Sequence, residues 1–130
     1  MRYFTAGLGL CALLCGCAQA GLPAPKAIED SEPDVTQQVS QIAGRVAQAT
    51  LARDELTANA QAAMPNEKMQ ALAAALKPCG VAPALELLQR TTKGEDRQYV
   101  YRVPCAGKNL ALEIDFNKGG KINRLSVHPN

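Results

Sequence analysis

Leu110-Ala111-Leu112-Glu113-Ile114-Asp115-Phe116 runs directly into Asn117-Lys118-Gly119-Gly120 and then Lys121-Ile122. Leu110, Leu112, Ile114 and Phe116 alternate with Ala111, Glu113 and Asp115, which gives an extended chain one apolar and one polar face. Asn-Lys-Gly-Gly tolerates positive φ, so the chain reverses there and Ile122, Leu125 and Val127 return as the second arm of a hairpin. The step from Ile122 to Leu125 is three residues instead of two, which predicts a bulge near Asn123. Upstream, Tyr99, Tyr101 and Val103 alternate with Gln98 and Arg102 and lead into Pro104 and Cys105, a further half-buried strand. Cys105 is in phase with the two tyrosines, so that face points toward the rest of the core. Leu85 and Leu87 flank Glu86, and residues 81–90 are read as strand, although Leu85 and Leu88 also fit helical spacing. Thr91-Thr92-Lys93-Gly94-Glu95-Asp96 reads as a turn.

The segment before these strands has a different period. Val35, Val39, Ile42, Val46 and Ala49 recur at alternating steps of four and three, and Leu56 rejoins the stripe after Arg53 interrupts it. That is one amphipathic helix over 34–63, ending near Met64-Pro65. Ser31-Glu32-Pro33-Asp34 supplies a capping hydroxyl, a carboxylate three residues on and Pro in the first turn. A second helix starts at Pro65 or Asn66, buries Met69, Leu72, Ala73 and Leu76, and stops at Pro78 and Gly80. The fold class is therefore α+β, with two N-terminal helices packed on an antiparallel meander of three or four strands.

The chain has 130 residues, enough for one small domain once its N-terminus is set aside. Met1-Arg2 precedes an apolar run from Tyr3 to Leu14, and small residues follow abruptly. This is the layout of a secretory signal. Leu14-Cys15-Gly16-Cys17 resembles the lipobox of bacterial lipoproteins. The resemblance implies a signal peptide over 1–16, a diacylglyceryl (palmitate-bearing) lipid on Cys17, and a lipidated tether over 17–33 carrying Pro23 and Pro25. The single periplasmic domain then covers 34–130. Ala18, where many inner-membrane lipoproteins carry Asp, implies the outer membrane, facing the periplasm. Ala18-Gln19-Ala20 offers an alternative cut that releases a soluble periplasmic protein. No later apolar run is long enough to span a bilayer.

Beyond the signal and the lipid site, Cys79 and Cys105 are the two cysteines left. In an oxidising periplasm they read as one disulfide, worth about 3–4 kcal/mol by loop closure. Two cysteines without a neighbouring His fall short of a zinc ligand set, so no metal and no cofactor is expected. Charge is uneven: residues 26–67 hold three Lys or Arg against seven Asp or Glu, and residues 68–130 hold ten against five. A basic second half suits anionic headgroups or an acidic partner, or is simply a solvated surface. Nucleic acid is not a plausible partner in this compartment.

Met69-Gln70-Ala71-Leu72, Tyr101-Arg102-Val103, Asp115-Phe116-Asn117 and Gly120-Lys121-Ile122 together resemble the small periplasmic domains of the nuclear transport factor two (cystatin-like) superfamily. The resemblance implies helices packed on a curved sheet and hardly constrains function, because that fold hosts enzymes, ligand binders and adaptors. Tyr99, Tyr101, Asp115 and His128 are the local candidates for acid–base work. Asp115 sits on the solvent side of its strand, and the tyrosines have no evident acid or base partner. His128 is near the end of the chain, and Ser126 shares its side without a third orienting group. The expectation is a non-enzymatic envelope lipoprotein that binds another protein, as an immunity or inhibitor protein or an assembly factor. Tyr99, Tyr101, Arg102 and Arg124 are the expected partner contacts. The alternative is a small-molecule binder or vestigial enzyme with a cavity between helices and sheet, lined by Tyr99, Tyr101 and Phe116.

Overall fold

The computed structural model describes residues 25–130; the signal segment, Cys17 and the Ala18-Gln19-Ala20 site lie outside the described residues. Strands β1 (Glu86–Lys93), β2 (Asp96–Cys105), β3 (Lys108–Phe116) and β4 (Ile122–Pro129) form an antiparallel meander in the order β1-β2-β3-β4. The chain is α+β, with the helical layer preceding the sheet. Alternation decides the faces. Tyr99, Tyr101, Val103 and Cys105 of β2 and Leu110, Leu112, Ile114 and Phe116 of β3 are all buried. The register steps from Asp115↔Arg124 to Phe116↔Ile122, so Asn123 is the extra residue of the expected bulge.

Three turns close the meander. Gly94, at φ 61°, is the first of the two residues between β1 and β2, and Ala106-Gly107, at φ 44° and 85°, joins β2 to β3. In the last reversal the Asn117 side chain accepts from the Lys121 N–H at 2.9 Å, and the two backbones pair at the same distance. The first turn is tighter than its sequence implied. Thr91, Thr92 and Lys93 are strand, because a two-residue loop with Gly at its first position carries the ladder up to Lys93↔Asp96. At the other end, 81–85 is not strand: the Val81 and Pro83 carbonyls face α1, the latter accepting from the Ser40 hydroxyl at 2.6 Å.

The single helix over 34–63 is broken. Helix α1 (Pro33–Ala47) ends, a 3-10 turn covers Arg53–Glu55, and α2 (Ala58–Ala63) follows. Helix α3 (Asn66–Leu76) has the expected bounds, but of its expected stripe only Leu76 is buried, with Met69, Leu72 and Ala73 half-buried at the edge of the core. After Ala47 the chain makes a Schellman closure, with Ala49 N–H to Val46 C=O and Thr50 N–H to Arg45 C=O. Ala49 takes the left-handed position at φ 57°. Two demands explain the break. A continuous helix would carry Arg53 into the buried stripe, whereas here its guanidinium caps the α2 C-terminus through the Gln61 and Met64 carbonyls. Leu56 becomes 1% exposed by bridging to Ile122 on the open edge of β4, with Thr57 N–H donating to the Ile122 carbonyl at 2.9 Å. Thr57 then caps α2. At the start of α1 Pro33 occupies the first turn, but no side chain caps it; the Ser31 hydroxyl and Asp34 carboxylate do not form the expected box, and Glu32 takes the cap position.

Val39, Ile42 and Val46 of α1, Leu76 of α3 and the inner faces of β2 and β3 make one core. Each large side chain buried there contributes about 1.5–3 kcal/mol. Cys79, just past α3, is disulfide-bonded to Cys105 at the end of β2 across 26 positions, which ties the helical layer to the sheet.

Gly44 tests how closely α1 lies on the connector: a Cβ there would stand 1.7 Å from the Val81 carbonyl oxygen. Ala is the better helix former by about 1 kcal/mol, yet Gly44→Ala should still lower stability in urea unfolding by about 1–3 kcal/mol. Ala49→Gly should raise it by about 1 kcal/mol by relieving the left-handed Ala. Cys79→Ser should cost about 3 kcal/mol under oxidising conditions.

Candidate functional site

β2 brings its two tyrosines to the end of the core where the chain enters the domain. Tyr99 and Tyr101 stack with centroids 6.1 Å apart, and Phe116 meets Tyr99 edge-on at 6.1 Å. The phenol oxygens reach the rim, and the segment before α1 meets them there. Tyr99 donates to the Glu32 carboxylate at 3.2 and 3.3 Å, and the Arg90 guanidinium of β1 pairs with that same carboxylate. The Tyr101 hydroxyl lies 3.1 Å from the Thr36 hydroxyl, which donates to Asp30 at 2.5 Å. Asp30 also accepts from the Glu32 N–H at 3.0 Å.

Residues 25–32 form a strap along the β1 edge. The Ile28 N–H donates to the Leu87 carbonyl at 2.8 Å, and Arg102 donates to the Pro25 carbonyl. The strap is polar in its anchoring: Pro25 to Glu29 stay exposed, and Ile28 is 47% exposed. Electrostatics follow. Burial pushes the Tyr101 hydroxyl up to about 12, against the opposing pull of its Thr36 hydrogen bond. Tyr99 is raised as well, first by burial and then by the Glu32 charge. The bond to Glu32 raises Arg90, which stays cationic.

The outer sheet face is polar and neutralises itself. Arg102 pairs with Glu86 at 2.6 Å, Gln98 donates to Asp115 at 3.0 Å, and Arg124 pairs with Glu113 at 3.2 Å. Glu113 is the hub: Ser126 donates to it at 3.2 Å, and His128 lies 3.7 Å from its other oxygen. The structure thus places a carboxylate between Ser126 and His128. The hydroxyl is bonded to the carboxylate and not to the imidazole, which is not a nucleophile–base arrangement. On the other flank, a groove of about 400 Å³ separates α2 and α3 from β4, walled by Ala60, Ala63, Ala71, Ala75 and Leu72.

Of the residues expected at a partner interface, Arg102 and Arg124 lie on the outer face. Tyr99 and Tyr101 do not: they are 1% and 0% exposed, because their strand phase turns them into the core. The Tyr99, Tyr101 and Phe116 rings, expected to line a cavity, pack against one another in the core, and every buried side-chain N or O atom among the described residues has a partner. Asp30, Glu32, Thr36 and Arg90 were not legible as partners of the tyrosines. Glu32 is 67 positions from Tyr99, and it lies inside the Ser31–Asp34 stretch that reads as a helix start. No family model, curated protein or solved structure matches the chain.

Tyr101 gives a direct check. A phenol that ionises near 10 in the unfolded chain and near 12 in the folded one favours folding while neutral. Its contribution is complete below pH 10 and disappears as pH rises through about 12. Stability measured by denaturant at each pH should fall across that window, and Tyr101→Phe should flatten the fall.

Proposed function

We propose that this chain is a non-catalytic lipoprotein of the bacterial envelope, carried on the outer membrane by a lipid on Cys17, whose periplasmic domain works by binding another protein. The observation that carries the binding reading is the closed interior. The tyrosine hydroxyls are engaged by Glu32 and Thr36, and the rings pack on each other, so the part of the interior they line is occupied by the chain's own side chains. A domain built this way offers its surfaces, and the disulfide and single core keep those surfaces in one geometry. A persistent, tethered domain of this size suits an immunity or inhibitor protein that blocks an envelope-attacking hydrolase, and equally an assembly factor.

Affinity capture of the lipidated protein from native envelopes, read by mass spectrometry, should yield one stoichiometric protein partner. A hydrolase in that position identifies an inhibitor, and a partner-free preparation that binds a small-molecule library overturns the reading. Cys17→Ser should abolish palmitate labelling and leave an unprocessed or soluble form; retained labelling refutes the lipid assignment.

A further inference from the structure

One carboxylate serves both the Arg90 guanidinium and the Tyr99 hydroxyl at the β1 edge. Glu32 accepts from each, and no second carboxylate reaches either donor among the described residues. Four residues earlier the Ile28 N–H pairs with the Leu87 carbonyl, and at the far end Arg102 holds the Pro25 carbonyl. A segment that makes a backbone hydrogen bond to a sheet edge and places one charged side chain in a polar notch offers the kinds of contact used in peptide recognition at strand edges.

We infer that the β1 edge, with Arg90 and Tyr99, is a binding site for an extended segment of a partner protein that carries Asp or Glu, and that residues 25–32 are its resident occupant in cis. This rests on the reading of the domain as a protein-binding module and names the chemistry of its partner. The edge specifies one kind of occupant. The guanidinium and phenol require an anion, the Leu87 carbonyl requires an N–H donor, and Arg102 accommodates a backbone carbonyl at a fixed distance along the strand. A small anion meets only the first requirement, and a lipid surface lacks the other two. An acidic peptide chain meets all three.

The strap competes from the same chain, so it lowers the apparent affinity of any incoming segment by the fraction of time the edge is covered. Its attachment is polar, Pro25 to Glu29 are exposed and Asp30 and Glu32 are half-buried, so it buries little apolar surface and can exchange while the core stays intact. The strap also joins the lipidated N-terminus to the domain. Its release therefore extends the domain's reach from the bilayer by up to about 25 Å.

The test uses the full chain. A fluorescent peptide spanning residues 25–34 is titrated against the parent and against an Ile28→Pro, Glu32→Ala double variant, whose strap lacks the N–H donor and the carboxylate. The variant should bind the peptide at least about tenfold more tightly than the parent. A peptide with Gln in place of Glu32 should bind about tenfold more weakly than the original. Equal binding by parent and variant, binding by neither, or indifference to the Gln replacement overturns the inference. Hydrogen exchange on the unmodified chain is independent of how the variant folds. The Ile28 amide should exchange at least about a hundredfold faster than the Tyr101 amide in central strand β2. Equal rates mean that the strap leaves only on global unfolding, and also overturn it. A native partner retained fully by Arg90→Ala removes this edge as the site while leaving the protein-binding reading standing.

Discussion

The phase of β2 is the constraint from which the rest of the molecule follows. Tyr99, Tyr101, Val103 and Cys105 share one face of a central strand, and each makes a separate demand on what lies above it. Val103 and the two rings need apolar cover, which α1 supplies through Val39, Ile42 and Val46. Cys105 needs Cys79, which places the end of α3 over the end of β2. The two hydroxyls cannot be buried without partners, since an unpaired buried hydroxyl costs about 1–3 kcal/mol. They draw in Glu32 and Thr36, and with them the chain that precedes α1. A one-residue slip of this strand would expose all four at once.

The helical layer shows how such a sheet reshapes what is laid on it. Helix α1 lies close enough to the 81–85 connector that Gly44 has no room for a Cβ, so a residue that weakens a helix in isolation is the one that permits the contact. The same layer has to cover the β4 edge, and it does so by giving up helix. Ala49 accepts a left-handed conformation, and Leu56 is delivered in extended backbone to Ile122. The Arg45–Glu55 ion pair at 2.7 Å spans the break, and Glu55 also accepts from the Ala52 N–H. Exposed ion pairs add little stability, so this pair fixes the turn's direction more than its energy.

The two sheet faces are finished differently, and this bears on function. The inner face is closed by packing and by satisfied hydroxyls. On the outer face charges meet across strands, with Glu113 shared by Arg124, Ser126 and His128. A face neutralised in this way is soluble and offers little net potential to steer a partner. The β1 edge is where unlike charges meet between distant parts of the chain, through Glu32 and Arg90, on a segment that buries little of itself.

Period-two alternation, the Asn117-Lys118-Gly119-Gly120 reversal and the three-residue step at Asn123 were enough to read β2, β3, β4 and the bulge, because strand phase and turn chemistry are local properties of the chain. The Cys79–Cys105 pairing followed from setting aside the three cysteines of the N-terminal segment, which leaves these two to join. The end of α3 at Leu76, just before Pro78 and Gly80, was local as well. Three features were not local. The break after Ala47 depends on Ile122 needing cover, a demand made 66 residues from Leu56 in the chain. The extent of β1 to Lys93 depends on what β2 can pair with. The partners of Tyr99 and Tyr101 depend on the strap arriving at the rim. Helical propensity across 48–57 is adequate, and Glu32 sits inside an ordinary helix-start signal, so nothing in either stretch signals its fate. The amino-acid order by itself determined which residues face inward on each strand. Which segment covers that face, and where the covering helix must yield, was decided only when distant residues competed to bury the same surface and to satisfy the same hydroxyls.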